Sequence, residues 1–305
     1  MILAVEQVSH SYGERRALRG LSLHSNARDI FGILGPNGGG KSTLFKILST
    51  LLVPDEGHVE VCGFDARKLP REIRRRIGVV FQSNSLDKNL TVDENLEAQG
   101  NLYGLSGQTL RRRMDECLER LGLGDRRRDL VKTLSGGLAR RAEIAKALLH
   151  RPQVVLMDEP STGLDPGARR ELWRFIDGLR NEQGLTVLLT THLLDEAERC
   201  DRLMLIHQGL RVAEGTPAEL KTIIGGDVIE FEPCGPATDL ARALTDAFDG
   251  VKARVAEDVV RVEIERAHRF AAEAVEALPG MIRGVRFHQP TLEDVFLFLT
   301  GARLC

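Results

Sequence analysis

The octapeptide Gly35-Pro36-Asn37-Gly38-Gly39-Gly40-Lys41-Ser42 constrains this chain more than any other feature. It lies between a short apolar run, Ile30-Phe31-Gly32-Ile33-Leu34, and a stripe in which Leu44, Ile47, Leu48, Leu51 and Leu52 fall on one helix face. Pro54 then stops the helix. A buried strand, a glycine-rich turn and a helix opening on lysine and a hydroxyl fit the G-x-x-x-x-G-K-[ST] pattern of a phosphate-binding loop. The glycines, among them Gly35, Gly38 and Gly40, let backbone N–H groups converge on phosphate oxygens with no Cβ in the way. The helix start adds its positive dipole end. Lys41 is placed for the β- and γ-phosphates and the Ser42 hydroxyl for Mg²⁺, with Asn37 and Thr43 flanking them.

Two further apolar runs, Val154-Val155-Leu156-Met157 and Thr186-Val187-Leu188-Leu189, are continuous rather than alternating, as suits parallel strands covered on both faces. Helices are expected at about 91–103, 107–121, 136–150 and 167–182, so the first 224 residues read as alternating strands and helices. The class is α/β. Ligands of open α/β sheets bind beyond the carboxyl ends of the strands. One run ends in Asp158-Glu159 and the other in Thr191-His192. Asp158 is suited to hold Mg²⁺ through water, Glu159 to accept a proton from an attacking water, and His192 to hydrogen-bond a γ-phosphate.

Gly225-Gly226 reads as a joint, and residues 225–305 follow the order strand-helix-strand-strand-helix-strand with a last helix from Thr291. That order is ferredoxin-like, so a small α+β domain is expected after the larger one. The tail holds 14 acidic and 9 basic residues, against 30 and 33 before it.

The overall formal charge of −2 argues against retention on nucleic acid by bulk charge. No apolar run reaches the roughly 18 residues that a membrane span needs, and the N-terminus lacks the basic start of a signal peptide. Five cysteines without a Cys-x-x-Cys pair suggest reduced cytosolic thiols rather than a disulfide framework or a zinc site. Cys305, as the last residue, does not fit a prenylation signal. The clusters Arg74–Arg76, Arg111–Arg113 and Arg126–Arg128 read as solvated helix faces, and Trp173 as helix packing.

Taken together, residues 1–224 resemble the ATP-binding subunits of ABC transporters. Leu134-Ser135-Gly136-Gly137 resembles that family's signature, and Met157-Asp158-Glu159-Pro160-Ser161-Thr162-Gly163-Leu164-Asp165-Pro166 its catalytic strand and D-loop. Gln82 resembles the Q-loop glutamine, His192 the switch histidine and Tyr12 the aromatic that stacks on adenine. The resemblance implies a P-loop NTPase ABC ATPase domain over 1–224, with a helical subdomain at about 85–150 and an α+β accessory domain at 225–305. It implies ATP and Mg²⁺ as ligands, with Ser42, Gln82 and Asp158 on the metal and Glu159, His192, Gln82 and Lys41 in hydrolysis. Tyr12, the loop residues, Ser135, Gly137 and Asp165 would contact nucleotide. Two such domains would pack head to tail, each signature closing on the ATP of the other. Leu138 stands where the commonest family pattern has glutamine, so contacts made by that amide are lost.

Leu90-Thr91-Val92-Asp93-Glu94-Asn95-Leu96 resembles the region that receives the coupling helices of a membrane partner. Pro290-Thr291-Leu292-Glu293-Asp294-Val295-Phe296 resembles the tail of daunorubicin/doxorubicin-resistance-type exporter ATPases. The expected protein is the ATPase subunit of an ABC-2-type exporter, peripheral on the cytoplasmic side of the membrane through a multi-span permease. No direct nucleic-acid contact is expected. The alternatives are a soluble ABC ATPase acting on a nucleic-acid or ribosomal complex, and the motor of a lipid or polysaccharide exporter. Ser42 and Ser135 stand only 93 positions apart, too close for the long coiled coil of chromosome-organising relatives.

Overall fold

The computed structural model describes residues 1–264 and 267–304; Cys305 lies outside the described residues. The chain divides into two compact units, Met1–Thr216 and Pro217–Arg303.

The first unit opens with β1 (Leu3–Tyr12), β2 (Arg15–Ser25) and β3 (Ile30–Leu34), followed by α1 (Lys41–Leu48). Next come β4 (Glu56–Val61), β5 (Phe64–Asp65), α2 (Pro70–Arg74) and β6 (Ile77–Val80). A helical stretch of α3 (Val92–Leu102), α4 (Gly107–Arg120) and α5 (Gly136–Leu148) leads to β7 (Val154–Asp158). Then α6 (Pro166–Gln183), β8 (Thr186–Thr191), α7 (Leu194–Ala197), β9 (Arg202–His207) and β10 (Leu210–Gly215) complete the unit.

Strands β3, β7 and β8 are buried along their whole length, as their unbroken apolar runs require. They sit in a six-stranded sheet ordered β10-β9-β3-β8-β7-β6, in which only the β9–β10 pair is antiparallel. Register pairs Leu34 with Thr191, Asp158 with Thr190 and Val80 with Met157. The carboxyl ends of β3, β6, β7 and β8 therefore fall along one edge, where α1 also begins.

The sequence reading treated this unit as alternating throughout, but β1, β2, β4 and β5 form a separate antiparallel sheet ordered β2-β1-β4-β5. Leu18, Leu21 and Leu23 of β2 are buried, but the β1–β2 pairing breaks register between Val5 and Val8, Val8 and His10, and His10 and Ser11, which blurs the period of two. One apolar cluster runs from Leu3, Val5, Val59 and Val61 of that sheet through Leu44, Phe45 and Ile47 of α1 to Phe31, Leu156 and Leu188. Each such side chain contributes roughly 1.5–3 kcal/mol on burial, which holds α1 and its preceding loop between the sheets.

The helix itself is shorter than its stripe. It ends at Leu48, Thr50 adopts a left-handed φ of 60°, and the N–H groups of Leu51 and Leu52 turn back onto the Lys46 carbonyl at 2.8 and 3.1 Å. Leu51 is therefore 59% exposed and not part of the buried face. The left-handed turn closes the helix before Pro54 can act. Trp173 is buried on α6 with Arg199 over its ring. Two arginines of each cluster are exposed, as expected, while the third is half-buried: Arg76 meets Glu72, and Arg127 bridges Asp93 and Asp115.

The second unit contains α8 (Pro217–Lys221), β11 (Asp227–Pro233), α9 (Ala237–Ala247), β12 (Ala253–Ala256) and β13 (Val259–Ile264). It ends with α10 (Ala267–Ala277), β14 (Ile282–His288) and α11 (Leu292–Thr300). The sheet order β12-β13-β11-β14, with every neighbouring pair antiparallel, is the ferredoxin-like arrangement. Ile229, Phe231, Val260 and Val262 pack under α9 and α10. Because α8 packs on α11, the unit begins at Pro217, before the glycine pair at 225–226.

Candidate active site

The loop from Gly35 to Gly40 is held where side chains do not fit. A Cβ at Gly35 would lie 2.3 Å from the Ile206 carbonyl, and one at Gly40, whose φ is 111°, 2.8 Å from that of Ala17. Lys41, only 4% exposed, donates from Nζ to the carbonyls of Gly35 at 2.7 Å and Pro36 at 3.2 Å. No acidic residue occupies the first turn of α1. A glycine cradle, a buried ammonium and an unopposed helix N-terminus fit a multiply charged anion. A cavity of about 200 Å³ opens here, bordered by Tyr12, Arg15, Asn37, Gly38, Gly40, Lys41, Ser42, Thr43, Gln82 and Glu159.

The strand ends converge on Glu159, itself in a left-handed conformation at φ 44°. Its N–H donates to the Thr190 carbonyl and hydroxyl, both at 3.1 Å, which fixes that backbone. Carboxylate Oε2 accepts from Gln82 Nε2 at 3.0 Å and from the Thr162 hydroxyl at 3.3 Å. Oε1 lies 3.4 Å from Lys41 Nζ and 3.2 Å from His192 Nδ1, the latter without hydrogen-bond geometry. Asp158 accepts from the Thr190 hydroxyl at 2.5 Å. Burial pushes the Asp158 carboxyl above its ordinary pKa, opposed by the Thr190 hydrogen bond and by the charges of Lys41 and Arg140. A carboxylate pair flanked by two cations and a carboxamide can take up a proton on one member and orient a water or cation with the other.

The other sequence-predicted residues stand outside the cavity. Gly35 lies behind the loop against β9, Asp158 is held by the Thr190 hydroxyl, and His192 stands beside Glu159 at 3.2 Å. Ser135 caps α5, accepting from the Leu138 N–H at 3.3 Å, and is exposed with Gly136. A Cβ on Gly137 would meet Ala168 at 2.9 Å. Asp165 caps α6 through the N–H groups of Gly167 and Ala168, and the Ala168 hydrogen bond leads the causes that lower its pKa. Four contributors were missed from sequence. Arg15 reaches the Gly38 carbonyl at 3.4 Å from the start of β2, while Thr190, Thr162 and Arg140 hold the strand ends. Of these only Thr162 lies within a motif, the run from Met157 to Pro166, and it was given no role there. Only the position of Thr190, one residue from the end of a buried strand, hinted at a role.

The family model described as ABC transporter matches residues 18–162, from β2 through the carboxylate pair. The daunorubicin resistance ATP-binding protein DrrA3 of Streptomyces coeruleorubidus is 39% identical over 98% of this chain and 96% of its own. The Nod factor export ATP-binding protein I of Paraburkholderia xenovorans (strain LB400) is 40% identical over 98% of this chain and 97% of its own. Among solved structures, a dimeric post-hydrolysis state of the ATP-binding cassette MJ0796 bound to ADP and Pi superposes with a TM-score of 0.65. It is 31% identical over 70% of this chain and 98% of its own. The chain belongs to the ATP-binding proteins of the ABC transporter family, and its first unit is a P-loop ATPase that binds and hydrolyses ATP.

Proposed function

We propose that this protein is the motor of an ABC exporter, driving a separate multi-span membrane permease from the cytoplasmic side. The observation that carries the reading is the Glu159 carboxylate, set at the convergence of β6, β7, β8 and α1 with Lys41, Gln82 and His192 around it. Glu159 takes the proton from the water that attacks the γ-phosphate. Lys41 and the loop N–H groups hold the phosphates, and Tyr12, 47% exposed at the end of β1, offers its ring to the base. The oxygens of Ser42, Gln82 and Asp158 suit Mg²⁺, which when bound supplies charge neutralisation at the phosphates. His192 holds the γ-phosphate side of the site. Ser135 and Gly137, at the exposed start of α5, contact the nucleotide of a second copy packed head to tail, with Asp165 at the same seam.

Export is supported by the names of the relatives, which concern daunorubicin resistance and Nod factor export. Among the described residues no helix is long and apolar enough to cross a membrane. The test is isolation from native membranes in mild detergent. A stoichiometric multi-span membrane protein is the expected companion; ribosomes or DNA in its place would overturn the exporter reading.

A further inference from the structure

One face of α5 carries charges that the nucleotide cavity does not use. Arg140, Glu143 and Lys146 recur every third residue, and the first two are 9% and 2% exposed. The Arg140 guanidinium donates to the carbonyls of Pro160 at 2.7 Å and Phe81 at 2.5 Å, and reaches those of Asp158 and Glu159 at 3.3 and 3.4 Å. One side chain thus touches the backbone immediately before Gln82 and that of both carboxylate residues. A turn further on, the Glu143 carboxylate accepts from the Ser85 N–H at 2.5 Å, the Ser85 hydroxyl at 2.9 Å and the Leu86 N–H at 2.8 Å. Lys146 completes the grip, donating to the Ser85 carbonyl and hydroxyl at 3.0 and 2.7 Å.

Strand β6 ends at Val80, and residues 82–85 are exposed and outside any helix or strand. Six hydrogen bonds from α5 side chains therefore anchor residues 81–86, and each has an ionised partner. Bonds of that kind are roughly twice as strong as neutral ones. Against them stands the single 3.0 Å contact of Gln82 with Glu159. The position of Gln82 is accordingly set by α5, the helix that Ser135 begins. Inward-facing charges are expensive unless every donor and acceptor is met, and here they are spent on the backbone of a segment whose apolar anchors, Phe81 and Leu86, lie at its two ends.

We infer that Glu143 and Arg140 are positioning residues for hydrolysis. They tie the Gln82 segment to α5, so that a displacement of the Ser135 end of the helix changes the Gln82–Glu159 contact. The inference rests on the roles proposed above for Gln82 and Glu159.

The experiment uses the full chain carrying Glu143→Gln, which keeps the shape but removes the charge and one acceptor. Turnover, KM for ATP, affinity for a non-hydrolysable ATP analogue and hydrogen exchange are measured together. The expected result is a kcat lower by about tenfold or more. KM and analogue affinity change several-fold less than kcat, because Lys41, Ser42 and the loop N–H groups still hold the phosphates. Exchange in residues 82–88 accelerates while β3, β7 and β8 remain protected, and Glu143→Asp restores part of the turnover. A kcat within about twofold of the parent, with that segment loosened, overturns the inference. So does a loss of analogue affinity and strand protection in proportion to turnover, which would mark Glu143 as merely structural. If the unsubstituted chain hydrolyses no ATP, or Glu159→Gln turns over like the parent, it is the functional reading that fails.

Discussion

The two units build sheets under helices, yet among the described residues only the first gathers its strand-end polar groups into a site. In the first unit the strands that meet α1 are parallel, so their carboxyl ends lie along one edge and the polar residues at those ends converge. In the second unit every neighbour is antiparallel, so strand ends alternate between the two edges and nothing accumulates at either. The second unit does bury charge, but it closes that charge on itself: Arg261 pairs with Glu230 at 2.8 Å and with Asp294 at 3.1 Å. In the first unit Glu159 and Lys41 border open space together. Buried charge that is mutually satisfied is architecture; buried charge that faces a cavity is chemistry.

The sharpest attempt to break this contrast is Glu159→Gln. It should lower phosphate release by about 10²–10⁴-fold, the usual worth of a positioned general base, with the thermal midpoint unchanged. Its counterpart, Arg261→Ala, leaves Asp294 buried without its guanidinium and should destabilise the second unit by roughly 3–5 kcal/mol. Calorimetry would show that loss, and a turnover that survives it when measured well below the new midpoint would confirm that this charge is structural. A matched pair of helix caps probes a smaller effect. Ser135→Ala on α5 and Thr291→Ala on α11, whose hydroxyl accepts from the Asp294 N–H, should each cost about 1 kcal/mol in denaturant unfolding. Only the former should weaken ATP-dependent association in gel filtration.

The smallest effect is a dependence on pH. Burial lowers the His150 pKa, partly offset by its hydrogen bond to the Ile77 carbonyl, and the ring stacks on Tyr103 at 3.8 Å. The unfolded chain binds the proton more readily, so this contribution is intact above the ordinary value near 6.5 and is lost as pH falls below it. His150→Gln should flatten that part of the stability curve in urea titrations between pH 7 and 5.

What the sequence made legible follows the same division. The phosphate loop, the carboxylates at strand ends and the order of the second unit were readable, because each is carried by neighbours in the chain or by an unbroken apolar run. The antiparallel sheet of β1, β2, β4 and β5 was not, since its register breaks spoil the alternation. Nor was the end of α1: Leu51 and Leu52 continue the stripe although Thr50 has already turned the chain. Arg140 and Glu143 stayed hidden for a different reason. A charged residue on a helix looks the same in sequence whether it faces water or grips a backbone fifty-odd residues away.

Thr190 and Thr191 carry a last consequence. Strand β8 is buried on both faces, so the apolar side chains of Val187, Leu188 and Leu189 would be equally well covered after a slip of one position along β7. Hydrophobicity is blind to that error. The two threonines are not. Thr190 bonds Asp158 on one side, and Thr191 bonds Glu196, which also receives the Ser161 hydroxyl, on the other. A one-residue slip would present the wrong neighbour to both carboxylates and leave buried oxygens unpaired. The polar end of the strand thus acts as its vernier: it sets the alignment of the sheet to within a residue, and the reacting groups inherit that alignment.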